Sequence, residues 1–80
     1  MFGIIVVGHG PFATGITTSV KMISGELDHY IPLEFRAEEP LEALSQNLHS
    51  AINTLLKDTK GVLIFTDLIG GTPFKTAYTI

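Results

Sequence analysis

His9 stands between two glycines, in Gly8-His9-Gly10-Pro11, directly after an apolar, β-branched run. Imidazole serves as nucleophile, acid–base group or metal ligand, depending on what surrounds it. A lone histidine is more often a surface or satisfied core residue, but three features here count against that. The flanking glycines remove side-chain shielding and allow close backbone approach. The position lies at the end of a run that reads as a central strand. A helical pattern follows at once, and a helix N-terminus offers unpaired N–H groups and partial positive charge to an anion, with Gly10 beside it. Asp67 is the second candidate. A loop aspartate commonly bonds its own turn. Set beside His9, its carboxylate would instead accept from one ring nitrogen, fix the tautomer and leave the other nitrogen a free lone pair for attack. The third is Gly70-Gly71-Thr72. It reads either as an ordinary entry into a helix or as a backbone nest that holds phosphoryl oxygens, with the Thr72 hydroxyl as a further donor.

Other chemistries fit poorly. The Gly-Lys-Ser/Thr spacing of a P-loop is missing. Gly8-His9-Gly10 has Ala13 where a dinucleotide fingerprint has its third glycine. His29 opens an edge strand and His49 lies on a polar helix face, so neither reaches His9. A metal site needs three or four converging ligands and His9 with Asp67 supplies two, so no metal is expected. A second carboxylate for glycoside hydrolysis is lacking.

These residues need a scaffold. Phe2–Val7 (FGIIVV) reads as a strand buried on both faces. Phe12, Ile16, Val20 and Ile23 form a helical stripe, which Gly25 ends. Tyr30–Phe35 reads as a strand confined to an edge by Pro32. Pro40 opens a helix at its first position. That helix should bury Leu41, Leu44, Leu48, Ile52, Leu55 and Leu56, with Glu42, Gln46, His49, Asn53 and Lys57 outside. Gly61–Thr66 reads as another fully buried strand, and Thr72-Pro73 opens a third helix. The alternation predicts one α/β domain over residues 1–80, an open parallel sheet of three βα units in strand order 2-1-3. Ligands bind such sheets outside the carboxyl ends of the strands, where His9 and Asp67 then emerge side by side.

Composition narrows the class. The 80 residues are 45% apolar and 16% charged, which excludes a disordered chain. Five Lys+Arg against eight Asp+Glu give a net charge of −3, so nucleic acid is not an expected partner. There is no cysteine, which removes disulfides and thiolate chemistry. The apolar runs fall far short of the ~20 residues of a membrane helix. No Lys or Arg precedes the first run, which breaks at Gly8, so a secretory signal is not expected and the default address is the cytoplasm.

The pair of motifs, Gly8-His9-Gly10 and Asp67-Leu68-Ile69-Gly70-Gly71-Thr72-Pro73-Phe74, resembles the IIA domains of the mannose family of the sugar phosphotransferase system. The second, in D-x-x-G-G-T/S-P form after a buried strand, is the more specific. The resemblance implies a phosphocarrier with no cofactor. His9 matches the phosphorylated histidine, Asp67 the carboxylate that orients it, and Gly71 with Thr72 the phosphate-cradling turn. It implies the phosphocarrier protein HPr as donor and a IIB domain as acceptor, with sugar entering through a membrane permease. It also implies a homodimer, and a domain that continues into a fourth parallel strand, further helices and an exchanged C-terminal strand. The 80 residues would then be its N-terminal part. Phe12, Leu68 and Ile69 lie in or beside the motif loops and are expected at a partner-binding surface, though the core also has a claim on Phe12. Two other uses of the same residues stay open. One is a IIA-like module serving dihydroxyacetone kinase or a transcription regulator. The other is a non-catalytic anion-binding domain.

Overall fold

The computed structural model describes residues 2–25, 27–36, 38, 40–67 and 72. Among these residues five elements alternate: β1 Gly3–His9, α1 Phe12–Ser24, β2 Tyr30–Phe35, α2 Leu41–Leu56 and β3 Val62–Thr66. The strands form one parallel sheet in the order β2-β1-β3, as the alternation and Pro32 predict. The third helix lies outside the described residues apart from Thr72, which is helical and half-buried.

The register sets both edges of the sheet. Ile5 stands between Ile31 and Ile64, Val7 between Leu33 and Thr66, and His9 opposite Phe35. β1 therefore runs two residues past its apolar run, because Gly8 and His9 keep main-chain pairing with Glu34 and Phe35. His9 is a strand residue, not the loop residue the apolar pattern suggests. Phe2 lies outside the strand and is exposed.

α2 covers one sheet face. Leu44, Leu48, Ala51 and Leu55 are its buried residues, and Ile5, Leu48, Ala51 and Leu55 form a core cluster joined by Ile31, Leu33, Ile52, Val62 and Ile64. Fully burying one such aliphatic side chain contributes about 1.5–3 kcal/mol. Leu41 and Leu56, expected in that stripe, are exposed at the two helix ends, and Ala51 takes a core place. Pro40 is one position earlier than expected, an extended residue at ψ 150 preceding the first turn. At the other end the Thr59 hydroxyl donates to the Leu55 carbonyl at 2.7 Å, beside the Asp58 N–H that donates to the same oxygen at 3.2 Å.

α1 covers β2 and β1 on the opposite face, but not by the stripe its apolar spacing suggests. Ala13 and Thr17 are the buried residues, and the Thr17 hydroxyl pairs with the Tyr30 hydroxyl at 2.8 Å. Small side chains let α1 lie close to the sheet. Phe12, Ile16 and Val20 are thereby turned aside to line an apolar groove of about 360 Å³ with Ile4, Val6 and Phe65. Ile23 is exposed. β3 is consequently covered on one face only, and there half-buried: Leu63 and Phe65 on the other face are about half exposed, which corrects the reading of a fully buried strand. Gly25 ends α1 at φ 80, its N–H donating to the Lys21 carbonyl at 2.9 Å.

Candidate functional site

The site stands at the carboxyl edge of the sheet, where β1 and β3 end together. Val7 pairs with Thr66, so Asp67, the next residue, comes level with Gly8 and its side chain reaches forward to His9. One oxygen, Asp67 Oδ2, accepts from the main-chain N–H of His9 at 2.9 Å and lies 3.1 Å from His9 Nδ1. The predicted adjacency of His9 and Asp67 is present in the fold.

Gly8 is what permits it. A Cβ on Gly8 would lie 2.9 Å from the Asp67 carboxyl carbon and would overlap the Phe12 ring. The glycine before His9 thus admits the carboxylate from below instead of merely exposing the imidazole. The signal for this was its position, between a buried Val7 and His9 in a strand flanked on both sides. Gly10 has a different task. Its φ of 55 is left-handed, and its N–H donates to the Phe35 carbonyl at 2.7 Å. Gly10 therefore supplies the turn out of the strand, and its amide is committed to Phe35 instead of an anion.

The electrostatics favour an ionised Asp67. Burial pushes its carboxyl up, but the main-chain and ring hydrogen bonds from His9 and the charge of that ring outweigh burial, so the group titrates below the usual aspartate value. An ionised carboxylate has no proton to give, so Nδ1 carries the hydrogen and donates it. In the neutral ring Nε2 then keeps its lone pair. The His9 side chain is 45% exposed and that of Asp67 16%, so the imidazole is open to solvent while the carboxylate beside it is largely covered. A further neighbour that the sequence reading missed is Phe35, whose ring meets the imidazole edge-on with centroids 5.9 Å apart. Aligning the last residues of β1 and β2 would have indicated it.

Of the remaining candidates, Phe12 is half-buried, beside Gly8 and lining the apolar groove. Leu68, Ile69, Gly70 and Gly71 lie outside the described residues, as do Pro73 and Phe74. His29 lies at the opposite, amino edge, its carbonyl accepting from Ile4 N–H at 2.8 Å, and His49 is exposed on α2. Among the described residues no three His, Cys, Asp or Glu side chains converge as a metal site would require, and no helix is long and apolar enough to cross a membrane.

Comparison with known proteins agrees with this fold. The EIIA-man family, described as the PTS system fructose IIA component, matches residues 3–80. The sorbose-specific EIIA component of the PTS system of Lacticaseibacillus casei is 38% identical over 74 residues, 92% of this chain and 52% of that protein. The fructose-specific EIIA component of Bacillus subtilis (strain 168) is 32% identical over 77 residues, 96% of this chain and 52% of that protein. The chain thus spans about half the length of these curated relatives. A crystal structure of phosphotransferase system component EIIA from Streptococcus agalactiae superposes with a TM-score of 0.88 at 33% identity, over 99% of this chain and 58% of that one.

Proposed function

The chain belongs to the EIIA-man family of IIA components of the phosphotransferase system, and from that premise we propose that it is a phosphohistidine carrier in which His9 accepts a phosphoryl group from HPr and passes it to a IIB domain during sugar uptake. The observation that carries this reading is the double grip of Asp67 Oδ2 on the main chain and Nδ1 of His9, which leaves Nε2 with its lone pair.

The step is a displacement at phosphorus. The Nε2 lone pair forms the new P–N bond as the donor's P–N bond breaks, and the donor nitrogen keeps the departing electron pair. The proton stays on Nδ1. Positive charge builds on the His9 ring as the bond forms, and the Asp67 carboxylate stabilises it from the Nδ1 side, away from the phosphoryl oxygens. The first-turn N–H groups of α1, three residues beyond His9, have no intrahelical partners and add a favourable field for the anion. Gly70, Gly71 and Thr72 complete the cradle in this reading. Leu68 and Ile69 form the docking surface that HPr and IIB share, in a cytoplasmic protein that meets the permease at the membrane and works as a homodimer.

The test is incubation with phosphoenolpyruvate, enzyme I and HPr. Acid-labile phosphate should appear on His9 and be lost in His9→Ala. Label persisting in His9→Ala overturns the assignment, and no label on folded parent protein turns the reading towards an anion-binding module.

A further inference from the structure

Phe35 touches the reactive segment twice. It is the last residue of β2 and stands opposite His9 in the register. Its carbonyl accepts the Gly10 N–H at 2.7 Å, which ties down the chain just beyond His9. Its ring packs against the imidazole, with centroids 5.9 Å apart and planes at 68°. Asp67 reaches the ring at one atom, Nδ1. A single hydrogen bond sets the distance to that atom but leaves the ring free to tilt about it. With the side chain 45% exposed, packing around the imidazole is sparse. A second contact, on a different part of the ring, is needed to hold its plane.

We propose that Phe35 is a positioning residue: its ring holds the plane of the His9 imidazole, so that Nε2 is presented in one direction to an incoming phosphoryl donor. This rests on the reading of His9 as the acceptor. Attack needs the reacting atoms about 3–3.5 Å apart with the lone pair aligned, so a ring that tilts spends less time in reactive geometry. The backbone and side-chain tasks of Phe35 can be separated, because changing the ring leaves the carbonyl bond to Gly10 in place.

The experiment compares Phe35→Leu and Phe35→Tyr with the parent. Phosphorylation of His9 by phosphorylated HPr is followed over a range of donor concentrations, and relaxation of the His9 ring carbons is measured by NMR without any donor. Phe35→Leu should lower kcat about 3- to 10-fold, the range an aromatic pair supports, with KM changed by less than about 2-fold. His9 ring motion should increase, and Phe35→Tyr should restore both. Parent-like kcat and ring relaxation in Phe35→Leu would overturn the proposal. So would a loss in kcat that Phe35→Tyr fails to restore, since any disturbance of the strand end would produce that. If the parent itself takes no phosphate, the carrier reading fails, and the ring relaxation alone decides for or against Phe35.

Discussion

Asp67 Oδ2 accepts from both the main-chain N–H and ring Nδ1 of His9, at 2.9 and 3.1 Å. A carboxylate leaving β3 thus does for β1 what a further strand residue would do, pairing with its last N–H, and holds the ring at the same time. Side chain and backbone of His9 are fixed relative to one another by a single atom. The second oxygen, Oδ1, is buried and meets no hydrogen-bond partner among the described residues.

Replacing Asp67 with asparagine tests the ring bond. The amide oxygen can still accept one N–H, so the chain should fold, but the charge is lost and an amide N–H can stabilise the wrong tautomer. A hydrogen bond to a charged group contributes about 1.5–3 kcal/mol, so Asp67→Asn should slow phosphorylation of His9 about 10- to 100-fold. Stopped-time labelling measures it; a parent-like rate would remove Asp67 from the mechanism.

Two glycine substitutions should move in opposite directions. Gly8→Ala drives a Cβ into the Phe12 ring and the Asp67 carboxyl group. It should destabilise by about 1–3 kcal/mol and slow phosphoryl acceptance. Gly15, inside α1, has nothing within 4 Å of a new Cβ. Gly15→Ala should stabilise by about 0.5–1 kcal/mol and leave acceptance unchanged. Urea melts with parallel labelling distinguish the two.

Acid should weaken the fold partly through Asp67. Its folded carboxyl titrates below the unfolded value, so the unfolded chain binds the proton more readily. The stabilisation is fully present above about pH 4, the ordinary aspartate range, and is lost as pH falls through the folded value. Glu34, drawn the same way by the Thr14 hydroxyl and Arg36, adds to that slope. Thermal melts from pH 6 to 2.5 should show a shallower acid decline in Asp67→Asn than in the parent.

The strand order was legible in the sequence because Pro32 marks an edge and alternation forces parallel pairing; the adjacency of His9 and Asp67 followed. The end of β1 was not legible. Side-chain pattern stops at Val7, whereas the ladder continues on main-chain pairing to Phe35. The buried side of α1 was misread because spacing of large apolar residues was given more weight than the close approach that Ala13 and Thr17 allow. The half-open β3 was hidden for a similar reason: a continuous apolar run reports what could be covered, and α1 lies over β2 and β1 instead. The room Gly8 leaves for the Asp67 carboxylate and the contact of Phe35 with the imidazole depend on register, which a single strand does not reveal.

Leu48 is fully buried at the centre of the α2-facing core. Leu48→Ala should cost about 2–5 kcal/mol, a large share of what a domain this size has. His9→Ala, by contrast, should stay within about 1 kcal/mol of the parent, because its side chain is exposed and the main-chain bond to Asp67 survives. Chemical denaturation of the two variants side by side checks the separation of core from site.

The most direct measurement is the ring atom that carries phosphorus. Protein labelled with ¹⁵N at histidine, phosphorylated through HPr, is examined at alkaline pH by ³¹P and ¹⁵N NMR, where phosphorus–nitrogen coupling identifies the bonded nitrogen. With Nδ1 held by Asp67, phosphorus should be on Nε2 of His9. Phosphorus on Nδ1, or on His29 or His49, would contradict the assignment of Asp67 as the group that orients the nucleophile.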